Sequence, residues 1–282
     1  MDGCKNSAWR GTTNGLTLLD DYSIRVAGAD LQNCLWLHQG TEHPAEIADE
    51  GEPYTGPACV PVAARRRLTA EEIRRIQSKW HWPSPSCIAT FRVHEDVLNE
   101  IKSSKIRDFD GHPTEQHVHL GSMLWARLCE TSPLSNLGPV HCLGISTRPS
   151  GLRTSTFDPS DGLRIGLHLD SWDRMSLRHR HLARVRLCIN LGAGHRSLLF
   201  VPHDIRTVSE ALAGVAGVHT ANIGERFCSR FPTAPVLELE IPPGYAYLAP
   251  TENLVHDGHS EKSPEPDLTI AWLGFIHYSG EF

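Results

Sequence analysis

The stretch from Ile241 to Ser260, IPPGYAYLAPTENLVHDGHS, decides how this chain is read. An apolar run closes at Ile241, Pro242-Pro243-Gly244 supplies a turn, and Tyr245 to Leu248 is short and aromatic. Proline and glycine punctuate turns, and β-branched or aromatic runs of this length between them read as strands. A polar loop follows, and the apolar pair Leu254-Val255 leads into His256. His259 competes with His256 for a role in any site here, but it lies further into a loop containing Gly and Ser, so the register favours His256.

The same pattern extends in both directions. Downstream, Leu268 to Ile276 forms a last apolar strand. Upstream, Val236 to Ile241, Ser197 to Val201, Val185 to Leu191 and Leu163 to Leu169 are short, β-rich and separated by Gly, Pro, Asp and Asn. Such spacing predicts an antiparallel sandwich or jelly roll over residues 151–282, without the crossover helices of a parallel sheet. Residues 1–150 are an elaboration of the same single domain. They mix strand-like runs at Leu16 to Leu19 and Ser23 to Ala27 with helices at Ala70 to Trp80, Glu95 to Ser104 and Ser122 to Glu130. The first helix carries a capping box, Thr69 with Glu72, and each helix shows an apolar face at helical spacing. The fold class is therefore mainly β with α, an α+β chain whose N-terminal helices buttress a β core. The basic run Arg178 to Arg186, RHRHLARVR, reads as a solvated loop entering a strand.

GLHLDSWD, residues 166–173, places His168 and Asp170 two positions apart. On a strand, alternate residues project from one face, so an imidazole and a carboxylate would share a side. A third ligand from a neighbouring strand completes the 2-His-1-carboxylate set that leaves coordination positions open on a non-haem iron. His256 is the candidate that the register favours for that place, with His259 as its competitor.

With these residues in place, the chain resembles the Fe(II)/2-oxoglutarate-dependent oxygenase superfamily. In that superfamily an HxD motif closes one core strand, and a distal histidine follows a Pro-Gly turn and precedes a last apolar strand. The resemblance covers about residues 160–278. It implies a double-stranded β-helix, jelly-roll or cupin-like, with Fe(II) held by His168, Asp170 and His256, and with 2-oxoglutarate and O₂ as cosubstrates. It also implies hydroxylation of an unactivated C–H bond in a small molecule, amino acid or peptide. Related halogenases lack the carboxylate ligand, so Asp170 points to hydroxylation, desaturation or cyclisation.

Many members hold the far carboxylate of 2-oxoglutarate with a basic residue on the last strand. Here Lys262 is the only cation after His256, and it lies among Glu261, Glu265 and Asp267. A buried dicarboxylate needs a charged partner. Arg196 is the first choice, because other branches place a basic residue at about its position. Arg186, Asn190 and Arg164 are alternatives, Arg164 sharing parity with His168 and Asp170. Trp172, Tyr245 and Tyr247 are candidate substrate contacts. An iron oxygenase that does without 2-oxoglutarate, and a non-redox metal-binding jelly roll, are the rival readings.

Composition is consistent with this. The chain is 40% apolar and 21% charged, which places it among globular proteins. A net charge of −6 gives no broad electropositive surface, so nucleic acid is not an expected partner. The eight cysteines form no CxxC pair, which argues against a zinc ribbon or disulfide scaffold. The pairs His117/His119 and His179/His181 lack an evident third ligand and read as surface residues. There is no HExxH, GxSxG, P-loop or GxGxxG. With no leader-like or membrane-spanning pattern, the expected compartment is the cytoplasm.

Overall fold

The computed structural model describes residues 22–28, 31–44, 53–78, 85–104, 106 and 114–279. The strand expected at Leu16 to Leu19 lies outside these residues, and the helix expected to reach Trp80 ends at Ile76, where Gln77 turns extended and bridges to Val26. Thirteen strands and six α-helices are described: β1 Arg25–Ala27, α1 Leu31–Cys34, β2 Leu35–His38, β3 Thr41–Glu42, β4 Val60–Pro61, β5 Arg65–Arg67, α2 Ala70–Ile76, β6 Cys87–Arg92, α3 Glu95–Ser103 and α4 Glu115–Thr131. The second half adds β7 Leu134–Arg148, β8 Val185–Asn190, β9 Arg196–Asp204, α5 Ile205–Ala211, α6 Ile223–Arg230, β10 Val236–Ile241, β11 Tyr245–Ala249, β12 Leu254–His259 and β13 Asp267–Tyr278.

Two sheets carry the architecture. One has the order β1-β6-β11-β8-β13-β7 and the other β12-β9-β10-β2-β5, while β3 and β4 form a small separate pair. From β8 onward the chain crosses repeatedly between the sheets, placing β8, β11 and β13 in the first and the consecutive pair β9 and β10, with β12, in the second. Every pairing among these six strands and β7 is antiparallel. Strands from before residue 150 extend both sheets, which are therefore not confined to the C-terminal half.

Period-two alternation gives each sheet one face covered by helices and one face turned towards the other sheet. Leu187 and Ile189 of β8, with Ile270 and Trp272 of β13, point outward into a cluster closed by Val97 and Ile101 of α3 and by Leu124, Trp125 and Leu128 of α4. The Trp272 indole N–H donates to the Gly121 carbonyl of α4 at 3.2 Å, so that helix is fixed by a hydrogen bond as well as by packing. The opposite face of β8 carries Arg186 and Cys188, and that of β13 carries Asp267, Thr269 and Ala271. The second sheet is covered by α5 and α6 through Val201, Leu199, Val236, Ile205 and Phe227. Between the sheets, Cys188, Tyr247 and Ala271 meet Leu198, Phe200 and Leu239 in one buried cluster. At the N-terminus of α2, the Thr69 hydroxyl accepts from Glu72 N at 3.2 Å and the Glu72 carboxylate accepts from Thr69 N at 2.8 Å.

Three sequence expectations are corrected. Leu163 to Leu169 is not a continuous strand: Gly166 adopts φ +69°, and only single bridges remain, from Arg164 to Tyr54 and Phe157 and from His168 to His256. The 15-residue β7 was not expected, because Gly138, Pro139 and Gly144 interrupt its pattern; as the edge strand it tolerates a proline that a central strand would not. The run Arg178 to Arg186 is not a wholly solvated loop. Leu177–Leu182 forms a 3-10 turn that buries Arg180.

Candidate metal centre

His168 and His256 face each other across a two-bond bridge, His168 N donating to His256 O at 3.0 Å and His256 N to His168 O at 2.8 Å. The backbone therefore brings the imidazoles together, with ring centroids 4.8 Å apart. Asp170 N donates to Thr251 O at 3.3 Å, which turns its carboxylate towards the same point. One ligand atom from each of His168, Asp170 and His256 lies within 4.8 Å of the others, and no other such group occurs among the described residues.

The protonation pattern suits a cation. His168 Nδ1 donates to Gly166 O at 2.9 Å and His256 Nδ1 to Leu254 O at 3.2 Å, so each Nε2 is left facing Asp170. His168 Nε2 is 3.5 Å from Asp170 Oδ1, and His256 Nε2 is 3.7 Å from Oδ2. Metal–ligand bonds of about 2.1 Å place adjacent ligand atoms roughly 3 Å apart, so a small contraction accommodates an ion. Asp170 Oδ2 is buried with no hydrogen-bond partner, a costly state that a metal would relieve. Burial alone would raise the Asp170 carboxyl, but the His168 hydrogen bond and the charges of His256 and Arg186 hold it well below the carboxylate range. Burial works against a charged His168 as well, yet Asp170 and Asp257 push it up to about 10. Burial holds His256 down to about 4. A metal entering the triad displaces the proton shared by His168 and Asp170.

Asp257, fully buried, supports this arrangement from behind. Its Oδ1 accepts from Ser155 N, Thr156 N, Thr156 Oγ1 and Gly258 N, and its Oδ2 lies 3.7 Å from His168 Nδ1. Groups placed this way fix the tautomer and orientation of a metal-binding imidazole. Neither Asp257 nor the buried Glu252 was singled out in the sequence, although both lie within four residues of His256.

Asp170 and His256 open onto a cavity of about 540 Å³ between the sheets, lined also by Arg186, Cys188, Arg196, Tyr247, Asp267 and Trp172. Arg186 Nη1 stands 3.7 Å from Asp170 Oδ2. Deeper in, Arg196 donates from Nη1 to Cys188 Sγ at 3.0 Å, and its Nε, 3.5 Å from Asp267 Oδ1, has no hydrogen-bond partner. Burial disfavours its charge, but Asp267 and Cys188 more than compensate and raise it above the ordinary arginine value. Gly258 leaves room for this guanidinium: a Cβ there would fall 2.9 Å from Arg196 Nη2 and 2.2 Å from Ser155 Oγ. Trp172, 51% exposed, stands at the mouth.

Other candidates lie elsewhere. The Asn190 amide is used on backbone, donating to Gly194 O and Ile241 O and accepting from Gly192 N, and it does not line the cavity. Arg164 is buried over the Tyr54 ring at 3.9 Å, outside the cavity lining. Tyr245 packs against the inter-sheet core, whereas Tyr247 reaches the cavity. His259 joins Glu238 on β10 rather than the triad.

No known family profile matches the chain, and no curated protein matches it. Similar solved structures include the Kdo hydroxylase KdoO, described as a non-heme Fe(II) alpha-ketoglutarate-dependent dioxygenase, in complex with alpha-ketoglutarate and Fe(III). That match has 13% identity over 68% of this chain and 79% of that one, with a TM-score of 0.35. The same protein with succinate and Fe(III) matches at 12% identity over the same shares, and its cobalt(II) complex at 13% identity over 68% and 80%, both again with a TM-score of 0.35. With overlap this slight, the case for the site stands on its own geometry. No helix among the described residues is long and apolar enough to cross a membrane.

Proposed function

We propose that this chain is a non-haem Fe(II)/2-oxoglutarate-dependent oxygenase that hydroxylates an unactivated C–H bond of a small molecule, amino acid or peptide. We take the fold as a double-stranded β-helix, a reading supported by β11-β8-β13-β7 in one sheet, β10-β9-β12 in the other and the His168 bridge beside β12. The observation that carries the reading is a carboxylate, Asp170, flanked by two Nε2 atoms and keeping one buried oxygen without a hydrogen-bond partner, at a cavity whose lining includes Arg186 and Arg196.

In this reading His168, Asp170 and His256 hold Fe(II), which with the bound keto acid supplies the O₂ chemistry that oxidises the C–H bond while the keto acid leaves as succinate and CO₂. Arg196 binds the far carboxylate of 2-oxoglutarate through its unfilled Nε–H and its Nη groups. Arg186 offsets negative charge beside Asp170. Cys188 and Tyr247 wall the channel between the two arginines, and Trp172 limits water at the mouth.

Anaerobic titration with Fe(II) and then 2-oxoglutarate tests the proposal. A visible metal-to-ligand charge-transfer band is expected, because only a chelated keto acid produces it. No band with iron bound would overturn the 2-oxoglutarate assignment and favour an iron oxygenase without that cosubstrate, a reading to which the acid on the last strand, Asp267 beside Arg196, lends its support. Failure to bind iron at all would overturn the whole proposal.

A further inference from the structure

The segment after Asp170 is tied down by a buried ion pair that contributes no atom to the triad. Arg180 is 1% exposed and Glu252 is fully buried. The guanidinium donates from Nη1 to the Asp170 backbone carbonyl at 2.9 Å and to Glu252 Oε2 at 2.5 Å, and from Nη2 to Ser171 Oγ at 2.9 Å. Glu252 Oε1 accepts from Asp173 N at 2.8 Å, and the neighbouring Thr251 O accepts from Asp170 N. Glu252 belongs to the turn between β11 and β12, just ahead of the strand that carries His256. One ion pair thus grips both the backbone of the carboxylate ligand and the turn from which the second imidazole's strand departs.

Such a pair is a poor device for stability alone, because desolvating both charges offsets most of their attraction and apolar replacements often serve as well. It is a good device for geometry. A guanidinium presents a rigid fork to several acceptors, which the point charge of lysine cannot reproduce. We infer that Arg180 and Glu252 are positioning residues that set the separation of Asp170 from His256 and, through it, the coordination geometry of the bound metal. The inference rests on the triad being a metal site.

Cobalt(II) is the probe, because its d–d absorption reports coordination geometry without any turnover. The purified metal-free full chain is titrated as wild type, Arg180→Lys, Arg180→Met, Glu252→Gln and Ser171→Ala. Asp170→Ala serves as the ligand-loss reference, and Leu128→Ala, on the buried face of α4 against the first sheet, as a destabilised control. Arg180→Lys is expected to fold, by circular dichroism, to bind Co(II) roughly 10- to 100-fold more weakly, and to shift the d–d band. Ser171→Ala should move both readouts less, in the same direction, and it carries the test if Arg180→Met does not fold. Folded Arg180 and Glu252 variants with wild-type affinity and spectrum would overturn the inference. So would Leu128→Ala changing both readouts equally. Wild type that binds no Co(II), or Asp170→Ala that binds it as wild type does, would sink the metal reading and the clamp together; unchanged clamp variants beside a lost Asp170→Ala sink the clamp alone.

Discussion

Asp170, with one buried oxygen, and the fully buried Glu238 are both carboxylates flanked by two histidines, but their surroundings differ. Glu238 on β10 accepts from Ser197 Oγ at 2.9 Å, pairs with His38 Nε2 at 3.1 Å and with Arg65, and has His259 Nε2 at 3.7 Å. Its oxygens are filled, and it joins β2, β5, β9, β10 and β12 across the second sheet. Asp170 keeps one oxygen empty, and its two imidazoles turn the same nitrogen towards it. A satisfied buried acid holds a fold together, whereas a carboxylate with an unsatisfied oxygen between converging imidazoles is arranged to receive a cation.

The largest effects should separate the two. Asp170→Ala is expected to abolish measurable Fe(II) binding while the metal-free protein melts no lower than wild type. Glu238→Ala should lose about 3–5 kcal/mol of stability by leaving Arg65 buried without its main partner. Equal melting losses in the two variants, followed by calorimetry, would erase the contrast.

Acid titration sharpens it. Burial raises the Glu238 carboxyl, but His38, His259 and Arg65 outweigh that and hold it at about 2, against a reference value of 4.5. A depressed folded value means that this stability is present above the unfolded value and is lost as pH falls from about 4.5 towards 2, on the order of 3 kcal/mol. Urea unfolding of Glu238→Gln should therefore show a shallower acid dependence than wild type across that window.

Smaller effects follow in the cavity. Arg196→Gln removes a charged hydrogen-bond donor, typically about 1.5–3 kcal/mol, so 2-oxoglutarate affinity should fall roughly 10- to 100-fold while Fe(II) affinity holds. Monitoring the charge-transfer band against keto-acid concentration checks this. Asp257→Asn keeps the acceptor used by Ser155 and Thr156 but turns an N–H₂ towards His168. It should weaken Fe(II) binding about 10-fold, as measured by competition with a chelator.

The parts of the molecule readable from sequence are those where local pattern and burial agree. β8, β10, β11 and β13 follow their apolar runs closely, and the triad follows from two short motifs. Reading failed where tertiary context overrides the local signal. β7 hides behind Pro139 and two glycines because an edge strand tolerates them. Residues 163–169 look like a strand by composition, but Gly166 takes a left-handed conformation, leaving His168 held by one bridge. Arg180 sits in a run whose charge announces solvent, and Glu252, seventy-two positions away, reverses that sense together with Ser171 and the Asp170 carbonyl. Asn190 has the right parity for the cavity, but its amide closes the turn after β8. Arg196, at the position the family resemblance implied, and Arg186 both line the cavity, whereas the acid beside Arg196, Asp267, gave no local hint of its role.

Gly258 carries a last consequence. Its φ is not positive, so glycine is needed there for space alone, with the Arg196 guanidinium and the Ser155 hydroxyl occupying what a methyl would fill. In a chain that anchors its keto acid through Arg196, alanine at 258 dislodges the anchor while sparing both imidazoles. On the proposed function, descendants passing through that one replacement would lose keto-acid binding before metal binding, a separation reached in a single inherited step.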